Sequence, residues 1–287
     1  DGTRDAAHLV DGIDDMIARV SAAWTGPAGP KLRLLPELIT LDEVRTAASG
    51  DPQLDGRILL GVDEGALAPF GIDPRQEPHL YLYGDAGMGK SSLLRGIVRE
   101  ITRLYQPNEA KIFVVDYRRS LLGDIPEEYL GAYLTSHELA SGGMNDLAGF
   151  FAGRIPGPDV TPAQLRDRSW WKGAEGFILV DDYDLVATSQ GNPLQPLQPL
   201  LAQAADLGLH VILTRRTGGA SRAAYDPIIQ RFTDLGATGI LLGGNPEEGA
   251  LIGRLKPVPS VPGRAQIVSR ERGLVTAQLA SVPPEHD

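Results

Sequence analysis

The run Leu80-Tyr81-Leu82-Tyr83 is followed at once by Gly84-Asp85-Ala86-Gly87-Met88-Gly89-Lys90-Ser91 and then by a long amphipathic segment. An apolar strand, the pattern G-x-x-x-x-G-K-[ST] and a helix, in that order, constrain the fold more than any other feature of the chain. Successive backbone N–H groups have to turn inward around a polyphosphate. The loop therefore needs residues that accept positive φ, and Gly84, Gly87 and Gly89 are read as supplying them. The following helix adds its unpaired N-terminal amides and its partial positive charge. Lys90 has the length to reach the β- and γ-phosphates, and the Ser91 hydroxyl is a Mg²⁺ ligand of the expected kind. The whole loop from Gly84 through Asp85, Ala86, Gly87, Met88 and Gly89 to Lys90, Ser91 and Ser92 is thus the candidate nucleotide cradle.

A parallel α/β sheet is the expected setting, and the rest of the chain supplies its strands. Lys111–Asp116 is apolar and ends in a carboxylate, as does Phe177-Ile178-Leu179-Val180-Asp181-Asp182. Ligands of open α/β sheets sit beyond the carboxyl ends of the strands, so Asp116 and Tyr117-Arg118-Arg119 are expected on the nucleotide side. Downstream of a P-loop, the Phe177–Asp182 run reads as the strand whose first Asp, Asp181, holds Mg²⁺. His210–Thr214 is a further buried strand, and its terminal Thr214 falls where a polar γ-phosphate sensor would sit. Asp181, Asp182 and Thr214 are the candidate catalytic residues.

Around this core, residues 4–24 carry Leu9, Val10, Ile13, Met16, Ile17 and Val20 at helical spacing, broken by Gly26-Pro27-Ala28-Gly29-Pro30. Packing on the domain's own core and connection to a preceding domain fit this helix equally well. Residues 31–79 read as a β-rich preamble, with strand-like pieces at 57–62 and 66–70. Further helices are expected at 137–154, with Leu139, Met144, Leu147, Phe150 and Phe151 inward, from Thr161-Pro162 to Trp170-Trp171, at 194–207 and at 225–235. A hairpin, 265–269 and 274–279, closes the chain. Trp170 and Trp171 read as packing residues.

Composition narrows the function. With 42% hydrophobic and 22% charged residues the chain is a globular protein with a sizeable core. Its formal net charge of −10 argues against a surface that neutralises DNA phosphates. The absence of cysteine excludes a disulfide, a thiolate nucleophile and a cysteine metal site. No apolar run has the length of a membrane span, and no signal-peptide pattern is read at the start. The chain opens at Asp1 rather than Met, as expected of a piece of something longer.

Several stretches together resemble the FtsK/SpoIIIE-like motor ATPases, most nearly the EccC ATPases of type VII (ESX) secretion. They are LYLYGDAGMGKSSLLR, VVDYRRSLL, FILVDDYDLV, PVPSVPGRAQIVSR and the long segment from His210 through Gly253. The resemblance covers about residues 30–283 and is most like the C-terminal, third ATPase module, with 1–30 as a linker helix from the preceding module and 31–287 as the ATPase domain. It implies a RecA-like P-loop fold with a mostly parallel sheet, ATP and Mg²⁺ as ligands, and a ring or homo-oligomer in the full assembly. It also implies recognition of the C-terminal signal of WXG100 (EsxA/EsxB-like) substrates, contacts with other EccC modules and ESX membrane components, and a cytoplasmic position at the inner face of the membrane. By resemblance, adenine recognition falls to the late loops around Asn245 and Pro262-Gly263-Arg264. An FtsK-like DNA translocase is the alternative, and the acidic balance speaks against it.

One departure from that family pattern bears on chemistry. Motors of this class follow the metal-binding Asp with Glu, which polarises the attacking water, and here the residue is Asp182. Its carboxylate falls roughly 1–1.5 Å short of where Glu would place it, enough to lose a large factor in rate. Tight ATP binding with weak or no hydrolysis is therefore expected, and Asp182→Glu should raise the rate. Arg215, Arg216 and Arg222, then Arg118 and Arg119, are the candidates for an arginine acting on a neighbour's γ-phosphate.

Overall fold

The computed structural model describes residues 9–26 and 34–285, which fall into two compact units divided after Arg33. The first holds helix α1 (Leu9–Ala23), on which Ile13, Met16, Ile17 and Val20 form the expected apolar stripe and stay exposed. Residues 4–8 of the expected helix lie outside the described residues.

The second unit is built on one ten-stranded sheet. In chain order its elements are α2 (Leu41–Ala48), β1 (Ile58–Asp63), β2 (Pro69–Ile72), β3 (His79–Tyr83), α3 (Lys90–Leu104), β4 (Ala110–Val115), β5 (Leu130–Leu134), α4 (His137–Ala152), α5 (Pro162–Asp167), β6 (Glu175–Val180), α6 (Tyr183–Val186), α7 (Ala204–Leu207), β7 (Leu209–Arg215), α8 (Pro227–Asp234), β8 (Thr238–Leu242), β9 (Arg264–Ser269) and β10 (Gly273–Leu279). The strands lie in the order β2-β1-β10-β9-β8-β3-β7-β6-β4-β5. Strands β8 through β5 pair in parallel, and β9, β10, β1 and β2 extend the sheet antiparallel.

The parallel strands are covered on both faces, so they read as continuous apolar runs. β3, β6 and β8 are buried at every position. On one face α3 contributes Leu93, Leu94, Ile97, Val98 and Ile101 to a core with Leu80, Leu82, Leu179 and Ile212. On the other, Met144, Phe151, Leu197, Leu201 and Phe232 pack against Tyr81, Ile178 and Val211.

Four expectations are corrected here. The preamble is not only β-structure, since Thr40 and Glu43 form a reciprocal capping box that starts α2. The segment 194–207 is a 3₁₀ helix over Gln195–Gln203 followed by the single turn α7. Pro199 inside it has no N–H to give an α-helical ladder. On α4 the buried stripe is Ala140, Met144, Leu147 and Phe151, whereas Leu139 and Phe150 face solvent. The helix begun by Thr161-Pro162 stops at Asp167 because Arg168 turns left-handed, at φ 52°. Beyond it Trp171 carries the Arg154 guanidinium 3.8 Å from its ring centroid, and Trp170 Nε1 donates to Arg154 O, as expected of packing residues.

A buried carboxylate ties the preamble to the sheet. Glu100 on α3 is inaccessible and accepts from Arg45 Nε (2.8 Å), Arg103 Nη2 (2.6 Å) and Leu59 N (3.0 Å). Two guanidinium groups and a strand amide thus satisfy a charge that could not be buried alone.

Candidate functional site

The loop 84–89 leaves the carboxyl end of β3, the strand held between β7 and β8, and delivers the chain into α3. Gly87 (φ 76°) and Gly89 (φ 109°) adopt the left-handed backbone expected of them. Gly84 does not, and its constraint is steric. A Cβ there would lie 3.0 Å from Leu242 on β8, so glycine at this position serves close packing rather than positive φ. Gly89 is the cap residue of α3 and makes no side-chain cap. The first helical bond runs from Leu93 N to Gly89 O, which leaves the amides of Lys90, Ser91 and Ser92 in the first turn without intrahelical acceptors. That is the arrangement of an anion-binding helix start.

The acidic strand end meets this loop. The Ser91 hydroxyl donates to Asp181 Oδ2 at 2.9 Å, and Thr214 Oγ1 donates to Asp181 Oδ1 at 2.6 Å. The Asp182 amide closes the group by donating to Thr214 Oγ1 at 3.1 Å. Three separate elements, α3, β6 and β7, therefore bring Ser91, Asp181 and Thr214 together. Thr214 is fully buried and its hydroxyl is bonded within this group. A hydroxyl and a carboxylate at the mouth of the loop are oxygen donors of the kind Mg²⁺ takes, and these residues fit that ion. Among the described residues no group of three or more His, Cys, Asp or Glu side chains could hold a metal by itself, so the remaining ligands would come from phosphate and water.

Asp182 sits in an unusual place. Its backbone is left-handed (φ 45°, ψ 58°), it is 6% exposed, and it stands at the start of α6 without making a side-chain cap. The carboxylate lies between two cations: Arg118 Nη1 donates to Oδ2 at 3.2 Å, and Lys90 Nζ is 3.6 Å from Oδ1. Oδ1 is buried and has no hydrogen-bond partner. Lys90 itself is 8% exposed and donates to Asp85 O at 3.3 Å. Behind Asp182, Tyr183 pins the turn by donating to Asp226 Oδ1 (2.8 Å), and burial first, then that carboxylate, raises its phenol well above the ordinary range.

Arg118 reaches the site from a loop that a buried acid builds. Asp116, at the end of β4, accepts from Arg118 N (3.0 Å), Leu121 N (2.9 Å) and Tyr133 Oη (2.6 Å). Asp116 therefore organises its own loop. Burial, and then the Asp116 carboxylate, holds the Tyr133 phenol protonated far above its usual range.

The remaining candidates divide between ligand face and support. Asp85 accepts a hydrogen bond from the buried Thr217 hydroxyl, a partner that the linear sequence did not suggest. Asp85, Met88, Gly243, Gly244, Asn245, Pro246, Pro259 and Ser260 line a cavity of about 450 Å³ beside the loop. Within it the Ser260 hydroxyl is buried and unpartnered. Asn245 caps the short helical turn 246–248 by accepting from Glu247 N. Pro262 and Gly263 stand behind: Gly263 N donates to Met88 O at 3.0 Å, and Pro262 O accepts from Gln278 Nε2 at 2.9 Å. Arg264 points away, to the carbonyls of Leu35 and Pro36. The Ser92 hydroxyl accepts from Val282 N at 2.8 Å, so its side chain is engaged by the C-terminal segment. Arg215 Nη2 reaches Gly219 O and Arg216 N reaches Asp184 Oδ1; the side chain of Arg222 lies outside the described residues. Another cavity, about 470 Å³, is lined by His79, Leu201, Thr238 and Arg270 at the opposite ends of the strands, away from all of these groups.

A glycine loop between a central parallel strand and a helix start, with a Ser–Asp–Thr cluster at the adjacent strand ends, defines a RecA-like P-loop NTPase. Comparison with known proteins narrows the class. The chain is 42% identical to the ESX secretion system protein EccC of Thermomonospora curvata, over 98% of this chain and 21% of that protein. It is 40% identical to the ESX-4 secretion system protein EccC4 of Mycobacterium tuberculosis, over 98% of this chain and 23% of that protein. A solved structure of Thermomonospora curvata EccC (ATPases 2 and 3), in complex with a signal sequence peptide, superposes with a TM-score of 0.85 at 42% identity, covering 99% of this chain and 50% of that one. No protein-family model matches. The chain belongs to the EccC family of type VII secretion ATPases. It spans about a fifth of the length of the two curated relatives.

Proposed function

We propose that this chain is the third, C-terminal ATP-binding module of a type VII secretion ATPase, that it holds ATP and Mg²⁺ tightly, and that it hydrolyses ATP weakly or not at all. The observation that carries the nucleotide reading is the convergence of Ser91, Asp181 and Thr214 on the mouth of a loop whose first-turn amides are free. Lys90 and those amides take the phosphates, and Ser91 and Asp181 are the oxygens that would hold the ion. Mg²⁺, when bound, supplies positive charge to the β- and γ-phosphates. The cavity beside Met88 and Asn245 has the place and size for the base. Weak hydrolysis follows from Asp182, a short side chain clasped by Arg118 where a longer one would reach the water.

The wider role follows from membership of the family. The module recruits small helical WXG100 (EsxA/EsxB-like) substrates by their C-terminal signal, as the peptide-bound relative suggests, and regulates the motor formed with the other EccC modules. Residues 1–30 connect it to the preceding module and 31–287 form the ATPase domain. The module works in an oligomer at the cytoplasmic face of the membrane, held there by the rest of the secretion complex; no described helix is long and apolar enough to cross a bilayer itself.

Titration of the chain with a fluorescent ATP analogue, with and without MgCl₂, tests the central claim. Lys90→Ala should weaken binding by about a hundredfold, and Asp181→Ala should abolish the Mg²⁺ dependence. Equal affinity for the wild type and Lys90→Ala would rule the nucleotide reading out.

A further inference from the structure

Asp182 is shared between two cations that have different jobs. Lys90 is needed by the phosphates, yet its ammonium stands 3.6 Å from Asp182 Oδ1. Arg118 holds the other oxygen at 3.2 Å, on a guanidinium whose side chain is 52% exposed and whose loop is fixed by the buried Asp116. Asp182 is only 6% exposed, so its carboxylate depends on these two cations rather than on water. A buried carboxylate without one cation draws more strongly on the other. We propose that Arg118 is a positioning residue for nucleotide binding: by holding Asp182 through Oδ2 it keeps Lys90 from being captured by that carboxylate and so leaves the ammonium free for phosphate. The inference rests on the nucleotide reading above and adds a residue that acts without touching the nucleotide.

Two features of the site support this division of labour. The Arg118 bond is made to Oδ2, and Oδ1, the oxygen nearer Lys90, has no hydrogen bond. Lys90 meanwhile donates to the backbone carbonyl of Asp85 at the edge of the loop. Its contact with Asp182 is thus an ion pair without a hydrogen bond, the weaker arm of the three-charge group. Loss of Arg118 would turn that weak arm into the only one.

Affinity of the full chain for a fluorescent ATP analogue, measured by direct titration with no turnover required, separates the possibilities. Arg118→Ala should weaken binding by roughly five- to tenfold, and Arg118→Lys, which keeps the charge, by no more than about twofold. Asp182→Asn removes the competitor. It should tighten binding on its own, and it should restore the affinity of Arg118→Ala to the wild-type level or beyond. A thermal melt of each variant reports folding. If Arg118→Ala does not fold, the sign of the Asp182→Asn effect decides, and unchanged or weaker binding by that variant overturns the inference. An Arg118→Ala variant that binds like the wild type overturns it too. So does a loss that Asp182→Asn fails to restore, because Arg118 would then be contacting phosphate itself. A wild-type chain that bound no ATP, indistinguishable from Lys90→Ala, would instead remove the nucleotide reading on which the inference stands.

Discussion

On the proposed reading, a single methylene at Asp182 separates holding a triphosphate from cleaving it. A left-handed backbone is tolerated best by glycine, which lacks a Cβ, and next by asparagine and aspartate. Asp182 satisfies that requirement at φ 45° while pointing its carboxylate at Lys90 and Arg118. Glutamate would extend the acid toward the water but would fit the backbone less well. Asp182→Glu is therefore expected to raise single-turnover phosphate release by about tenfold or more and to lower stability by about 1 kcal/mol. Quench-flow and urea denaturation of the same preparation check the two halves. A wild-type chain turning over at motor-like rates would contradict the argument. Gly84 and Gly89 make a related point, for the G-x-x-x-x-G spacing announces both without saying that one answers Leu242 and the other answers φ.

The elements differ in how much of themselves they declare in one dimension. β3, β6 and β7 were legible because strands buried on both faces are uninterrupted apolar runs, and because each leads to candidate site residues: β3 into Gly84 and the loop, β6 into Asp181 and Asp182, and β7 through Thr214. α2 was not, since at eight residues it has only Leu41, Val44 and Ala48 to mark its buried face. The signal that could have found it is the spacing of Thr40 and Glu43, which is a capping box. Thr40→Ala should cost about 1 kcal/mol of unfolding free energy by removing the acceptor for the Glu43 amide. If the loss were nil, Glu100 and its two arginines would be fixing α2 without help from its cap. The 3₁₀ stretch 195–203 is the opposite case. Leu and Ala richness suggested an α-helix, whereas Pro199 in its interior removes a donor that one requires. Site residues that depend on tertiary approach were invisible for a similar reason. Thr217 lies 132 positions from Asp85, and no local pattern links a threonine after two arginines to a phosphate loop.

At the scale of the whole molecule, the sheet has the candidate site at one end and buried titratable groups at the other, and the second end is where an acid response is expected. The P-loop, Asp181, Asp182 and Thr214 gather at the carboxyl ends of the parallel strands; His79, Glu175 and His210 lie toward the opposite ends, buried in the sheet. His79 stacks on Phe232 at 4.9 Å, its Nε2–H donates to Leu201 O at 3.0 Å, and its Nδ1 is buried without a partner. Burial lowers its pKa from the ordinary 6.5 to about 4, with a small further push from His210 and an opposing pull from the Leu201 carbonyl. Glu175 is also lowered on balance: burial raises it, and the hydrogen bond and charge of His210 together with Arg168 outweigh burial. Both shifts act in the same direction. Above pH 6.5 the unfolded and folded chains both keep His79 neutral and its contribution is whole. As pH falls from about 6.5 to about 4 the unfolded chain takes up a proton that the folded one refuses, and stability drops by about 3 kcal/mol. The Glu175 contribution is present above the ordinary carboxylate range and is lost only at lower pH, as protonation reaches its depressed folded value. Urea denaturation between pH 7 and 3 should therefore show a decline that begins near pH 6.5, above the ordinary carboxylate range. His79→Gln, whose amide can keep the bond to Leu201 O without taking a proton, should flatten that first decline while leaving the later one. A first decline of the same size in the variant would place the acid sensitivity elsewhere in the sheet.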